Sequence, residues 1–181
     1  MHQQVRDFVR EVTAEIGSRH PCIVEIGSYD LNGTIRDQFE AERYIGADVY
    51  PGPGVDLVAS GVELAADMPG IADVVVCTGM LEHDPEWRAT VAALVDLARV
   101  GGWVIITCAS DEFPPHSGRV NGRPEPDEHY QNVALDDLRA VLATLSVVVS
   151  KIELRERRDL VVLARRCASK DDGTRPVVDV A

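Results

Sequence analysis

Residues 22–49 read CIVEIGSYDLNGTIRDQFEAERYIGADV, and the succession of patterns in them decides the fold. CIVEIGS is a short apolar run ending in glycine, which suits a buried strand. LNGTIRDQFEAE follows with helical content and would turn Ile35 and Phe39 inward. RYIGADV is apolar and extended in character again. Strand, helix and strand in so short a span predict a right-handed crossover between parallel neighbours.

The same alternation continues on both sides. Upstream, Val5, Phe8, Val9, Val12 and Ile16 fall on one face of a helix over residues 3–17, which Gly17 and Pro21 end. Downstream, VDLVA is a short strand, and IADVVVCTG is a continuous apolar run of the kind that both faces of a sheet bury at its centre. Asp84 as N-cap and Pro85 in the first turn predict a helix whose stripe is Trp87, Val91, Leu94, Val95 and Ala98, stopped by Gly101 and Gly102. GWVIITCA is a fifth strand, and ALDDLRAVLATL a helix with Leu135, Leu138, Val141, Leu142 and Leu145 inward. VVVSKIEL and RDLVVLARR, separated by a short polar turn, read as an antiparallel closing pair. The expectation is a single α/β domain over residues 1–167, doubly wound and Rossmann-like, with helices on both faces of a mostly parallel sheet. A polar tail covers residues 168–181.

Composition narrows the partners. A chain of 181 residues suits one core, and no apolar run approaches the roughly 20 residues that span a bilayer, so no membrane insertion is expected. A net charge of -12 opposes docking on a phosphate backbone, and nucleic acid is not an expected partner. The start, MHQQVRDFVREV, lacks the apolar segment of a signal peptide, so a cytoplasmic location is expected. Cys22, Cys77, Cys108 and Cys167 are widely spaced, without CxxC, and no HExxH appears, so the expectation is structural thiols and no metal site.

In a sheet of this kind ligands bind at the carboxyl ends of the strands, near the point where strand order reverses. After the first strand come Glu25, Ile26, Gly27, Ser28 and Tyr29. Gly27 there lets the backbone approach a ligand, and Asn32-Gly33 suits a turn. The second strand ends in Asp48, twenty-one residues beyond Gly27, where an acid can take both hydroxyls of a ribose; otherwise it would be a helix cap or a loop acid. The next glycine after Gly27 is Gly33, so no pyrophosphate cradle of the GxGxxG kind is present, which disfavours a nicotinamide dehydrogenase. A carboxylate at Glu25 would repel phosphate and support a cationic ligand. S-adenosylmethionine, with its ribose, sulfonium and ammonium, meets these demands.

The chain resembles the class I S-adenosylmethionine-dependent methyltransferases of the small single-domain type, from Val24 to about Arg165. Glu25 and Gly27 match the family's first motif and Asp48 its acid after strand two. Met80-Leu81-Glu82-His83 matches the loop after strand four, often Leu-Glu-His, and Gly101-Gly102 the pair before strand five. The resemblance implies a seven-stranded sheet with the last strand antiparallel. It also implies S-adenosylmethionine as cofactor, with Glu25, Gly27 and Ser28 on its methionine part and Asp48 and Val49 on ribose and adenine. Thr78, Gly79, Met80 and Leu81 would form the opposite wall. Tyr29 and Leu31 stand where relatives have further glycines, so the loop takes a longer course through Gly33, and Ser60 stands where many relatives have an acid for adenine.

Substrate recognition is expected in residues 109–133, ASDEFPPHSGRVNGRPEPDEHYQNV, a long aperiodic stretch at the ligand edge that is a lid or a solvated connector. The expected reaction is methyl transfer to oxygen or nitrogen of a small molecule. His116 is the first candidate base, then His129, then His83. The alternative is a module that binds the cofactor without chemistry and acts with a partner subunit. Oligomeric state is not readable from the sequence.

Overall fold

The computed structural model describes residues 3–169, so the expected tail from residue 170 onward lies outside the described residues. Its strands are β1 (Arg19–Ile26), β2 (Glu40–Asp48), β3 (Leu57–Val58), β4 (Ala72–Thr78), β5 (Ala98–Ala109), β6 (Val147–Arg155) and β7 (Asp159–Arg166). They form one seven-stranded sheet in the order β3-β2-β1-β4-β5-β7-β6. β7 is antiparallel to β5 and to β6, and every other pair is parallel, as expected. β4 is the central strand, and Val74, Val75, Val76 and Cys77 are fully buried there.

Alternation along the strands divides the core in two. Val24, Val75, Ile106 and Val162 face α2 (Gly61–Asp67), α3 (Trp87–Leu97) and α4 (Leu135–Thr144), whose Leu64, Leu94 and Leu138 belong to the same cluster. Ile23, Val74, Ile105 and Leu163 face the other way, where α1 (Gln3–Ile16) contributes Phe8, Val9 and Val12. Among the described residues no helix is long and apolar enough to cross a membrane.

The helix expected over LNGTIRDQFEAE does not form. Between β1 and β2 there is only a short 3-10 turn, Arg36–Gln38, and the end of the predicted helix, from Glu40, is β2. Local polar bonds outcompete helix here. Asp30 Oδ1 accepts from the Gly33 amide at 2.7 Å, Thr34 Oγ1 accepts from the Arg36 amide at 3.0 Å, and Gly33 sits at φ +117°, outside helical space. Ile35 and Phe39 still point inward and are buried against α1's cluster, so the apolar reading was right while its period was not.

Two smaller differences follow the same logic. α2 was not expected, although Ser60 and Glu63 form a reciprocal capping box at its start, a pattern visible in the sequence. α3 begins at Trp87, two residues after Pro85. Asp84 caps the preceding turn, accepting from the Glu86 amide at 2.8 Å and from the Thr90 hydroxyl at 2.6 Å. Nor do Gly101 and Gly102 stop α3: it ends at Leu97, and the pair lies inside β5, where the register against β4 shifts between Ala72 and Val74.

Candidate functional site

β1 and β4 are adjacent, and the chain leaves them toward opposite edges of the sheet. Above their carboxyl ends lies a cavity of about 790 Å³, within the usual range for small-molecule sites. The loops after β1, β2, β4 and β5 line it, together with the start of β7.

The loop after β1 turns at once. Gly27 has φ +80°, and its amide and that of Ser28 donate to the Ala47 carbonyl at 2.9 and 3.2 Å. A Cβ on Gly27 would come within 2.6 to 2.7 Å of the Met80 side chain, so the bare backbone is covered by the residue expected on the opposite wall. The glycines missing after β1 are replaced by glycines in and after β2. Tyr29 lays its ring on Gly52, the Gly54 backbone approaches the Ser28 carbonyl, and the Asp30 amide donates to Pro53 at 2.8 Å. The two loops thus brace each other without a short glycine turn.

Asp48 stands on the cavity wall with both oxygens anchored, Oδ2 accepting from the Tyr29 amide at 3.2 Å and Oδ1 from the Tyr50 amide at 2.9 Å. Each oxygen keeps a further lone pair for a ligand hydroxyl. Glu25 is buried, with Tyr44 donating to Oε2 at 2.8 Å; burial pushes its carboxyl up to about 7, against Tyr44 and Arg36, which pull it down. Ser28 Oγ and Thr78 Oγ1 are buried on the wall without a hydrogen-bond partner. Gly33, Val49, Gly79 and Met80 also line the cavity.

Two of the expected residues are engaged elsewhere. Leu81 is absent from the wall, because its fully buried side chain is the apolar peg that seats the 3-10 turn Leu81–His83 in the core. Ser60 is at the wall, but its hydroxyl donates to Glu63 Oε2 at 2.7 Å and accepts from the Glu63 amide at 3.2 Å, which commits it to capping α2.

The segment after β5 is irregular but ordered by its own contacts. Arg119 forks onto Asp127, at 3.1 and 2.7 Å, and donates to Glu128 at 2.9 Å, while the Ser117 hydroxyl donates to Glu128 at 2.7 Å. Gln131 ties it to the turn after β4, its amide donating to Glu82 O at 2.8 Å and its side chain to Asp84 O at 3.1 Å. His116 is thereby set against His83, ring centroids 4.9 Å apart, with Tyr130 and Phe113 at 5.1 and 5.0 Å from His116. His129 also lines the cavity, from an exposed position at its rim.

Sequence reasoning left Glu82 and Asp159 off the site. Both carboxyls are buried on the wall, and Glu82 Oε2 and Asp159 Oδ2 have no hydrogen-bond partner. Burial pushes Glu82 up to about 7, with the Glu82 and Ala109 amides opposing and Asp159 reinforcing, and burial raises Asp159 too. Burial, reinforced by His116, lowers His83 to about 4. Glu82 was visible as the acid of the Leu-Glu-His loop; Asp159 gave no signal beyond the turn between closing strands.

No family model matches the chain. A ubiquinone biosynthesis O-methyltransferase of Bordetella pertussis is 51% identical over 45 residues, a match spanning 25% of this chain and 19% of that protein's length. The 1,6-didemethyltoxoflavin-N1-methyltransferase of Burkholderia thailandensis, solved with S-adenosylhomocysteine, superposes over 90% of this chain and 78% of its own with a TM-score of 0.66 at 17% identity. An S-adenosylmethionine-dependent methyltransferase of Clostridium acetobutylicum superposes over 92% and 93% with a TM-score of 0.67 at 11% identity. Strand order, the antiparallel β7 and these neighbours identify the chain's fold as that of the class I S-adenosylmethionine-dependent methyltransferases.

Proposed function

We propose that this chain transfers the methyl group of S-adenosylmethionine to a small molecule, at an oxygen or nitrogen atom. The observation that carries the reading is one cavity wall holding the bare Gly27 backbone, the anchored Asp48 carboxylate and two buried hydroxyls, Ser28 and Thr78, that have no protein partner. Such hydroxyls are costly unless a ligand satisfies them. The cofactor supplies an electrophilic methyl carbon on a sulfonium. Asp48 would hold the ribose, with Val49 beside the adenine, and Gly27, Ser28 and Glu25 the methionine part.

The protein's share of the chemistry is alignment and exclusion of water. The acceptor atom would take the methyl carbon as the carbon–sulfur bond gives its electron pair to sulfur, and the acceptor's proton would pass to a base in the cavity, His116 first among the candidates. Glu82, His83, His116 and Asp159, which also line the cavity, would take the acceptor's side of it, while His129 is exposed and in a weaker position. The partial match to an O-methyltransferase supports an oxygen acceptor.

Calorimetry with S-adenosylhomocysteine and with NAD tests the cofactor, and only the first is expected to bind. Transfer of labelled methyl to a panel of hydroxylated aromatics and small amines tests the reaction. Tight cofactor binding without transfer to any of them would favour a binding module acting with a partner subunit.

A further inference from the structure

We propose that Glu82, His83 and His116 form a binding site for a divalent transition-metal ion, of the Mn2+, Co2+ or Zn2+ kind, on the acceptor side of the cavity. One ligand atom from each residue lies within 4.8 Å of the other two. They come from two chain segments, the 3-10 turn after β4 and the loop after β5, so no contiguous motif announces them.

Glu82 is the decisive residue. Its carboxyl is 2% exposed, Oε2 has no hydrogen-bond partner, and Oε1 is 3.7 Å from His116 Nε2, too far for a hydrogen bond. A buried carboxylate oxygen left in this way wants a cation. Asp159 adds a second buried oxygen without a partner, close enough for its charge to act on both Glu82 and His116. One buried carboxylate and two imidazoles make a donor set that would hold a dication.

The imidazoles are held for the task. The Gly118 backbone packs so close to the His83 ring that a Cβ there would lie 3.0 to 3.2 Å from its atoms, which holds that ring in place. His116 is set edge-on to His83 and Tyr130. Ligands of an ion bound at about 2.1 Å are about 3 to 3.5 Å apart when adjacent, so the three atoms must draw together by about an ångström. His116 lies on a loop rather than in the sheet and can make that move.

Two imidazoles and one carboxylate suit borderline ions over Mg2+ or Ca2+, which prefer oxygen. Three protein ligands leave open positions, as in catalytic sites. If the methyl-transfer reading is right, the acceptor's oxygen would occupy one and lose its proton more readily there. The metal site itself stands on the geometry alone, and only this role rests on that reading.

The test uses the full-length, untagged chain stripped with chelator and titrated with Co2+ while the visible absorption is followed, then with Zn2+ and Mg2+ as competitors. One Co2+ per chain is expected, displaced by Zn2+ and not by equimolar Mg2+. Glu82→Gln and His116→Ala should each weaken Co2+ binding at least tenfold, with the wild-type far-ultraviolet circular dichroism spectrum kept, which certifies the fold of both variants. No saturable Co2+ binding, or binding unchanged in both variants, would overturn the site. Transfer by metal-free protein at the full rate, with Co2+ binding as expected, would overturn the role in the reaction and keep the site. Failure to bind S-adenosylhomocysteine would instead count against the methyl-transfer reading and leave the metal site standing.

Discussion

Asp48 is the side chain expected to hold the cofactor's ribose through hydrogen bonds. Asp48→Ala should weaken S-adenosylhomocysteine binding by about 1.5 to 3 kcal/mol, the range for hydrogen bonds to a charged group, read by calorimetry. Unchanged affinity would remove Asp48 from the ribose. Glu25 makes a different prediction, on stability. Its folded pKa of about 7 lies above its ordinary value, so protonation favours the folded state. The stability it contributes is complete below about pH 4.5 and is lost as pH rises through 7. Tyr44, Arg36, Asp30 and Asp48 are the charged or titratable groups acting on it. Glu25→Gln, which keeps an acceptor for the Tyr44 hydroxyl, should therefore stabilise the ligand-free protein at pH 8 relative to pH 4.5, by on the order of 2 kcal/mol. Urea unfolding of both proteins at the two pH values checks this, and a difference independent of pH would show that the fold does not raise the pKa of Glu25.

At the scale of elements, the cap of α2 separates two roles for Ser60. Since the hydroxyl is committed to Glu63, Ser60→Ala should cost about 1 kcal/mol of stability and leave cofactor affinity within about twofold. A large loss of affinity at unchanged stability would return Ser60 to the adenine site. Gly27→Val strains two things at once, a backbone at φ +80° and the seat of Met80. It should lower both melting temperature and cofactor affinity, and normal binding in that variant would show that the first turn does not meet the ligand. The strands and most helices were legible because burial on two faces demands continuous apolar runs, and burial on one demands a 3.6-residue stripe. The connection after β1 was not legible: Ile35 and Phe39 have helical spacing, but Gly33, Asp30 and Thr34 satisfy the backbone in another way.

For the whole molecule, the segment after β5 lines the cavity and is held by charge pairing within itself. Arg119→Ala removes the ties to Asp127 and Glu128, so proteinase K should cut within residues 111–130 faster than in the wild type. S-adenosylhomocysteine with an acceptor should slow that cleavage if the segment closes over ligand. Equal cleavage with and without ligands would mean a static wall. The net charge of -12 leaves the cavity's buried acids in a negative field, which favours cationic ligands over phosphates.

The sequence by itself determined the sheet, its central strand and the positions of Gly27 and Asp48, because periodicity and strand ends are local properties. It also carries the capping box of α2, Ser60 with Glu63. Tertiary structure alone decided which side chains share the cavity. Glu82 and Asp159 are far apart in the chain and meet only because β4, β5 and β7 are neighbours in the sheet, Asp159 pairing with Ala109 at the end of β5. His83 and His116 meet because the loop after β5 folds back on the turn after β4. Burial, which decides whether a carboxyl carries a charge, belongs to that packing and to no single stretch of sequence.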